Sequence, residues 1–323
     1  MTTTQLHQSP RTTRTDDAIV VRNLRRSYRA PQRSLFPGSK APEPFEAVKG
    51  IDLTVRRGEV FALLGTNGAG KTSTVELIEG LASPSAGSIQ VLGHDPVRER
   101  DAVRHRTGVV LQSSGFPPAL TAREIARMWH GTLTRPLPVD DVLASVDLSD
   151  RADVESAKLS GGERRRLDIA LAIMGRPEVL ILDEPTTGLD PESRRNIWTL
   201  IEHLVGQGTS LLLTTHYLEE AERLADRIAI MHRGLIAREG SLAEIVAESP
   251  ARISFARPSS LALSDLTVPG ANITVDDAVL IETPTLQDSL RRVLDWAGST
   301  QLTGLDARSA TLEQVFLSIA DTH

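Results

Sequence analysis

One glycine-rich stretch, GTNGAGKTS (Gly65–Ser73), constrains the fold of this chain more than any other segment. It ends the apolar run VFALLG, which has the pattern of a buried strand, and it leads into apolar residues at helical spacing from Lys71 to Leu81. A turn of this kind between strand and helix lets backbone N–H groups surround an anion at the helix N-terminus. We therefore predict a phosphate-binding loop.

We predict a separate role for each polar side chain of this loop. Lys71 supplies positive charge to the phosphates, and the Thr72 hydroxyl is a candidate ligand for Mg²⁺. The other binding residues of the loop are Gly65, Asn67, Gly68, Ala69, Gly70 and Ser73. The alternative is a glycine-rich turn that holds no ligand, and the Gly-Lys-Thr sequence in this context argues against it.

Two carboxylates end a second buried strand pattern, VLILDEP. At the carboxyl end of a strand beside the phosphate loop, Asp183 can face Mg²⁺ and Glu184 can activate the attacking water as a general base. The alternative is that both are ordinary polar residues closing a strand, with Pro185 as the stop.

Gln112 and His216 also follow strand patterns, GVVL and SLLLTT. We expect His216 to lie near the γ-phosphate as a sensor and Gln112 to contact the metal or the water. Both residues also have a purely structural interpretation, because a lone polar residue at a strand end often only closes the strand.

A second glycine-rich turn, LSGGERRR, has no lysine beside its glycines and runs directly into a helical pattern. Ser160 and Glu163 have the spacing of a capping box. Gly161 and Gly162 lie at the helix start, where N–H groups form a ready anion site. The alternative is a capped helix start without a ligand.

Strand and helix patterns alternate along most of the chain, which predicts an α/β fold with a mostly parallel sheet. Further helix starts are marked by the capping-box spacing of TARE (Thr121–Glu124) and by Asp190 before a proline, in a helix that ends near Gly206. From about Ser241, strand and helix patterns predict a small α+β unit. The sequence has no internal repeat.

Composition argues against several classes of protein. The chain has 323 residues, a net charge of −6 and no cysteine, so we expect neither nucleic acid as a partner nor disulfides or thiolate metal sites. Its longest clean apolar run, Ile169–Met174, is far shorter than the roughly 20 residues of a membrane-spanning helix. Residues 1–17 have no signal-peptide pattern, and their low apolar content predicts a disordered tail.

Six motifs, in this order and spacing, resemble those of the ATP-binding subunit of an ABC transporter: GTNGAGKTS, Gln112, LSGGE, VLILDEP, GLD (Gly188–Asp190) and His216. The resemblance covers about residues 18–240. The stretches GERRRLDIA, DEPTTGLDP, THYLEEAE and ATLEQVFL are similar to the multidrug and daunorubicin-resistance exporter branch. The resemblance implies a P-loop ATPase core, an antiparallel β subdomain, a helical subdomain at about 113–158, and a small C-terminal accessory domain at 241–323.

The resemblance also implies the cofactors ATP and Mg²⁺ and a role for each site residue. Gln112 and Asp183 complete the metal shell begun by Thr72, Glu184 activates water, and His216 senses the γ-phosphate. Tyr28 is the aromatic residue expected to stack on adenine. Phe45 is the alternative stacking residue, because the proline-rich loop between Tyr28 and Ala47 is longer than usual in the family.

Members of this family work as head-to-tail pairs. This chain has one phosphate loop and one copy of the family's signature turn, Ser160–Glu163. The resemblance therefore implies a homodimer in which Ser160–Glu163, including Gly161 and Gly162, close over ATP bound to the partner, with Asp190 at the contact. It further implies a separate transmembrane permease subunit that docks on the helical subdomain, substrate export, and a peripheral location on the cytoplasmic face of the membrane.

A soluble ABC-type ATPase that acts on ribosomes or nucleic acid is the main alternative. Chromosome and repair ATPases of that kind contain long coiled coils, and no heptad run occurs here. Translation-factor relatives carry two ATPase domains in one chain. A cluster-assembly ATPase is a third possibility, for which the C-terminal unit has no obvious use.

Overall fold

The computed structural model describes residues 17–28, 45–112, 115–247, 249–259 and 261–320. Its described residues form two compact units, one up to Asp226 together with Met231–Ile236, the other of Arg227–Ile230 and the residues from Ala237 onwards. The predicted disordered tail lies outside the described residues, except for Asp17, which begins the first strand rather than ending the tail. The predicted domain boundary at Ser241 stays a prediction.

The first nine strands form two sheets. In chain order they are β1 (Asp17–Tyr28), β2 (Phe45–Arg56), β3 (Val60–Gly65), β4 (Ala86–Val91), β5 (Thr107–Val110), β6 (Val179–Asp183), β7 (Ser210–Thr215), β8 (Arg227–His232) and β9 (Leu235–Gly240). A three-stranded antiparallel sheet has the order β2-β1-β4, and a six-stranded sheet has the order β5-β6-β7-β3-β8-β9. Neighbouring strands from β5 to β3 are parallel, which confirms the predicted α/β fold with an antiparallel β subdomain.

Seven helices connect these strands in the part of the larger unit that the structure describes. They are α1 (Lys71–Ile78), α2 (Arg100–Arg104), α3 (Ala122–His130), α4 (Val139–Ser145), α5 (Gly161–Ile173), α6 (Pro191–Gly206) and α7 (Leu218–Leu224). Strands β3, β6 and β7 are buried along their whole length because helices cover the parallel sheet. Their apolar side chains share one core with α3, α4, α5 and α6.

The predicted helix starts are confirmed, and one helix end differs from its prediction. Thr121 begins α3 with a complete capping box, and Asp190 caps α6, which ends at Gly206. Helix α1 ends at Ile78 instead of continuing to Leu81, because Gly80 adopts a left-handed conformation with φ 71°. The N–H of Leu81 then bonds to the carbonyl of Glu76 at 3.0 Å, the hydrogen bond of a Schellman motif.

The smaller unit has its own antiparallel sheet and core. Its remaining elements are α8 (Leu242–Ala247), β10 (Ala251–Ala256), β11 (Asn272–Val275), β12 (Ala278–Thr283), α9 (Leu286–Ala297), β13 (Asp306–Arg308) and α10 (Leu312–Ala320). The sheet order is β11-β12-β10-β13, and α9 packs Val293 and Ala297 into the core of this sheet. Strand β13 was not expected from the sequence, because three residues are too short for a recognisable pattern.

Candidate functional site

A cleft of about 410 Å³ lies where the loops after β3, β5 and β6 approach the ends of β1 and β2. The carboxyl ends of parallel strands share one edge of a sheet, and ligands bind there in open α/β folds. The cleft is lined by Tyr28, Phe45, Ala47, Asn67, Gly68, Ala69, Gly70, Lys71, Thr72, Ser73, Gln112 and Glu184. The cleft thus contains most of the predicted phosphate-loop residues, both aromatic residues and two of the strand-end residues, Gln112 and Glu184. The other residues of these groups, Gly65, Asp183 and His216, are not among its lining.

The phosphate loop depends on small residues where the backbone is crowded. Gly70 has φ 106°, and a Cβ atom there would collide with the carbonyl oxygen of Ala47 and lie 2.7 Å from the end of Met231. A Cβ atom on Gly65 would lie 2.5 Å from the carbonyl oxygen of Met231. Gly70 is also the N-cap of α1 and provides no side-chain cap, which leaves the helix N-terminus to an anion such as phosphate.

Lys71 places a buried cation at the base of this loop. Its Nζ donates to the carbonyl oxygen of Gly65 at 2.8 Å and lies 3.9 Å from Oε1 of Glu184. Burial lowers the pKa of Lys71, and the negative charges of Glu184 and Asp183 partly offset this effect. The ammonium group therefore lies between the loop backbone and the carboxylates, as a phosphate-binding lysine requires.

Glu184 is held in one orientation from several sides. Its backbone has φ 47°, a left-handed conformation that costs a non-glycine residue about 1–3 kcal/mol, and its N–H bonds to the carbonyl oxygen of Thr214 at 3.0 Å. Gln112 and Thr187 donate to Oε2 at 3.3 and 3.2 Å. Nδ1 of His216 lies 3.3 Å from Oε1. A strained backbone that presents a constrained carboxylate is typical of a functional residue.

Asp183, one residue earlier, has its side chain buried at the end of β6, where it accepts a hydrogen bond from the Thr214 hydroxyl. The predicted metal ligands are the Asp183 carboxylate, the Thr72 hydroxyl and the Gln112 amide oxygen, all of them hard oxygen donors that suit Mg²⁺. Among the described residues no cluster of three or more histidine, cysteine or acidic side chains could hold a metal by itself.

Two aromatic residues stand at the mouth of the cleft. Tyr28 ends β1 and Phe45 begins β2, and the two are paired across the antiparallel sheet. The Tyr28 hydroxyl lies 3.0 Å from the Ser73 hydroxyl, and the guanidinium of Arg26 lies 4.8 Å from the Tyr28 ring centre. Phe45 is 65% exposed and Tyr28 is 38% exposed, so Phe45 presents more surface for stacking. The proline-rich loop between them falls outside the described residues.

The signature turn, Ser160–Glu163, forms the capping box that its spacing predicted. The Ser160 hydroxyl accepts from the N–H of Glu163, and Oε2 of Glu163 accepts from the N–H of Ser160 at 2.7 Å. Arg151 donates to the other carboxylate oxygen at 2.7 Å. Burial favours a higher pKa for Glu163, but these hydrogen bonds outweigh it and lower the pKa. The Glu163 carboxylate is therefore held by the N–H of Ser160 and by Arg151.

The signature turn and Asp190 lie beside each other but outside the cleft. A Cβ atom on Gly162 would lie 2.5 Å from the Ser193 hydroxyl, in the first turn of the helix that Asp190 caps. Gly161 has more room, since its nearest neighbour would be a Leu189 methyl at 3.8 Å. Neither Asp190 nor Ser160–Glu163 is among the described residues that line the cleft. The predicted site residues thus form two separate groups in one chain.

Two residues that contact the site were not identified from the sequence, because neither belongs to a recognised motif. Thr214 binds both Asp183 and the backbone of Glu184, and its only signal was the pair of threonines before His216. Arg165 donates to backbone carbonyls beside Gln112 and Glu184, and its only signal was the run of arginines after LSGGE.

Known proteins match this chain over both units. The ABC transporter family model matches residues 48–187, and a model for the C-terminal domain of ABC transporter domain-containing proteins matches residues 251–311. A daunorubicin resistance ATP-binding protein of Streptomyces coeruleorubidus is 39% identical over 288 residues, which are 85% of this chain and 91% of that protein. The chain belongs to the ABC transporter family. Within that family it is an ATP-binding subunit and an ATPase, and it belongs to the drug and Nod factor exporter group.

Other matches agree with this assignment. A Nod factor export ATP-binding protein of Burkholderia lata is 42% identical over 200 residues, 60% of this chain and 66% of that protein. The solved ATP-binding subunit of an ABC transporter has a TM-score of 0.60 and 28% identity, covering 72% of this chain and 92% of that chain. A dimeric ATP-binding cassette bound to ADP and Pi has a TM-score of 0.60 and 23% identity, covering 69% and 98%, and shows the same fold. Across the described residues, no helix of this ABC subunit is long and apolar enough to span a membrane.

Proposed function

We propose that this chain is the ATP-hydrolysing subunit of an exporter, and that two copies share two ATP sites. The observation that carries the proposal is the separation of the predicted site residues into the cleft and the signature turn, which lies outside the cleft. A head-to-tail homodimer is supported because it brings the Ser160 helix start of each copy to the ATP of the other. Two solved cassettes of the same fold are dimers.

In the cleft, each group of side chains has a distinct task. The phosphate loop and Lys71 bind the triphosphate, and Phe45 stacks on adenine with Tyr28 beside it. Thr72, Asp183 and Gln112 hold Mg²⁺, which supplies charge stabilisation to the phosphates when bound. Asn67 to Ser73 fix the position of the phosphates through the backbone and the start of α1.

Glu184 takes the proton from the attacking water. Its carboxylate lies 3.9 Å from Lys71 and within 3.3 Å of Gln112 and His216, so the base, the cation and the γ-phosphate sensor meet at one point. Two hydrogen bonds from the backbone N–H of Glu184 to Thr214 support this orientation.

The first test replaces Glu184 with glutamine, which keeps the shape and removes the base. We expect ATP binding to persist and kcat to fall by about 10²–10⁴, since general-base catalysis has this size. Light scattering after gel filtration should then find an ATP-dependent dimer. The control is Glu222→Gln, an exposed carboxylate on α7. A Glu184→Gln variant as active as the wild type would refute the role of Glu184 as the general base.

The second test asks whether the two groups of site residues act across the dimer. Lys71→Ala inactivates the phosphate loop, and Gly161→Asp places a negative charge at the signature turn where a side chain has room. Each variant alone should be inactive. Mixed in equal amounts, they form heterodimers with one intact site, and activity should recover to about a quarter of the wild-type value by random pairing. Mixtures that pair but stay inactive would contradict the shared site.

The membrane partner is proposed to bind an apolar groove on the larger unit, here called the docking groove. Its apolar lining consists of Ile78, Leu81, Val103, Val109, Leu111, Trp129, Leu133, Leu171, Ala172 and Pro177. Leu81 is 60% exposed and Trp129 is 43% exposed, and exposed apolar patches mark interaction sites. A short helix of a transmembrane permease fits this surface, and its attachment would hold the ATPase on the cytoplasmic face of the membrane.

Adjacent residues of α3 provide a matched pair of variants for the groove. Trp129 lines the groove, whereas Met128 is also exposed but does not line it. We expect Trp129→Ser to lose co-purification with a multispanning protein encoded beside this chain, and Met128→Ser to keep it. If both variants co-purify equally well, the partner binds elsewhere. If the wild type fractionates only with ribosomes, the exporter assignment is wrong.

A further inference from the structure

Arg165, in the second turn of α5, is a buried arginine whose hydrogen bonds all reach across to other elements. Only 7% of the residue is exposed. Its Nε donates to the carbonyl oxygen of Pro185 at 2.8 Å, and its Nη2 donates to that of Asp183 at 2.8 Å. Its Nη1 donates to the carbonyl oxygen of Leu111. One guanidinium therefore joins α5 to the ends of two strands, β5 and β6.

These three carbonyls belong to the backbone that carries the proposed catalytic groups. Leu111 immediately precedes Gln112, while Asp183 and Pro185 stand on either side of Glu184. A guanidinium group is planar and presents its donors in a fixed fork. The separation between the Gln112 and Glu184 segments is thus set by a rigid group and not by the strand ladder alone, which ends at Val110 and Leu182.

The charge of Arg165 indicates more than a packing role. Its nearest carboxylate oxygen, Oδ2 of Asp168, is 4.0 Å away, and its described hydrogen bonds go to uncharged carbonyls. Burial lowers the pKa of Arg165, while the charges of Asp168, Asp183 and Glu220 counteract this effect. Burying a cation is costly, and the 4.0 Å ion pair with Asp168 is too long to offset that cost fully. An apolar residue would fill the same volume with less penalty, but it could not tie three carbonyls together.

We propose that Arg165 is a positioning residue for ATP hydrolysis, one that aligns Glu184 and Gln112 from the helix whose first turn is the signature turn. The proposal rests on the function proposed above for those two residues. Since Ser160 is the N-cap of α5, the arrangement also connects the turn that meets the partner's ATP with the base that acts on the chain's own ATP. Arg165 itself is not among the residues that line the cleft.

The test compares arginines at opposite ends of the same two strands. Arg106 binds Glu178 at 2.5 and 3.0 Å beside the amino ends of β5 and β6, far from the carboxyl-end edge. Full-length Arg165→Gln, Arg165→Lys and Arg106→Gln are assayed for kcat, KM for ATP and Tm. We expect Arg165→Gln to lower kcat at least tenfold with KM changed less than about threefold, because small misplacements of catalytic groups cost up to about 10² in rate. Arg106→Gln should lower Tm and keep kcat.

A double-mutant cycle with Glu184→Gln separates positioning from general damage. If Arg165 acts through Glu184, adding Arg165→Gln to the Glu184→Gln variant lowers the residual rate by much less than tenfold. An equal loss in both backgrounds, or a wild-type kcat in Arg165→Gln, overturns the proposal. Arg165→Lys keeps the charge and most of the volume. If the glutamine variant does not fold, the same kcat and KM measurements are made on Arg165→Lys. If Glu184→Gln is itself fully active, the proposed base is wrong, and that outcome is distinct from a failure of Arg165.

Discussion

We expect Glu79 to make this protein less stable as the pH rises, and one substitution to remove the effect. The residue caps the end of α1, and both of its carboxylate oxygens are buried without a hydrogen-bond partner among the described residues. Burial, followed by the negative charges of Asp183 and Glu76, raises the pKa of Glu79 to about 7. We expect Glu79→Gln, which is neutral at every pH, to stabilise the larger unit at neutral and alkaline pH.

The size of the effect follows from the pKa. A rise from 4.5 to about 7 corresponds, at about 1.4 kcal/mol for each tenfold change in proton affinity, to roughly 3 kcal/mol. Since part of the side chain reaches solvent, about 2 kcal/mol is the expected measured effect. The folded state binds the proton of Glu79 more tightly than the unfolded state does. The contribution of this residue to the free energy of unfolding is therefore fully present below pH 4.5 and is lost as the pH rises through about 7.

Thermal unfolding between pH 5 and pH 8.5 measures this difference. At about 2–4 °C for each kcal/mol in a unit of this size, Glu79→Gln should raise Tm by roughly 4–8 °C at pH 8 and by much less at pH 5. The control, Glu222→Gln, changes an exposed carboxylate and should stay within about 0.5 kcal/mol of the wild type at each pH.

A Tm difference between Glu79→Gln and the wild type that stays constant from pH 5 to pH 8.5 would refute the reasoning. It would mean that the Glu79 carboxyl does not change its charge in this range. Arg104 lines the docking groove together with Glu79, so a contact between its guanidinium and the carboxylate is the first explanation to examine.

Variants at Phe45, Tyr28 and Glu163 test the two ends of the proposed ATP site. Phe45→Ala should weaken ATP binding at least fivefold, because stacking on a base is worth about 1–3 kcal/mol, while tripolyphosphate, which has no base, binds as before; an equal loss for both ligands would argue against stacking. Tyr28→Ala should weaken ATP binding less than Phe45→Ala, as measured by calorimetry. Glu163→Ala removes the acceptor for the Ser160 N–H and should lower Tm by about 2–4 °C, the cost of a lost cap of about 1 kcal/mol. Glu163→Gln keeps an acceptor oxygen and should lower Tm less, and the reverse order would exclude the capping role.

Local features of the structure were predictable because short-range chemistry decides them. The capping boxes at Thr121 and Ser160 and the cap at Asp190 formed where the spacing indicated. The phosphate loop stands between β3 and α1 because glycines at Gly68 and Gly70 adopt positive φ. The end of α1 was mispredicted, although Gly80 gave the signal: apolar spacing continued to Leu81 past the glycine that stops the helix.

The meeting of the site residues could be expected only through resemblance and the general rules of parallel sheets. Gln112, Glu184 and His216 are separated by tens of residues in the sequence. They come together because β5, β6, β7 and β3 are neighbours in the sheet, an order set by how the helices pack over it. The pattern of each strand indicates that it is buried but not which strand lies beside it.

The sequence by itself determined the phosphate loop, the capped signature turn, the alternating α/β pattern and the family, because each depends on residue type and spacing within a short segment. Only the tertiary structure decided that Phe45 is the more exposed aromatic residue, that Arg165 ties the Gln112 and Glu184 segments to α5, and that the Glu79 carboxylate is buried without a partner. These are properties of surroundings built from distant parts of the chain. A residue's burial and partners exist only after those parts have packed together.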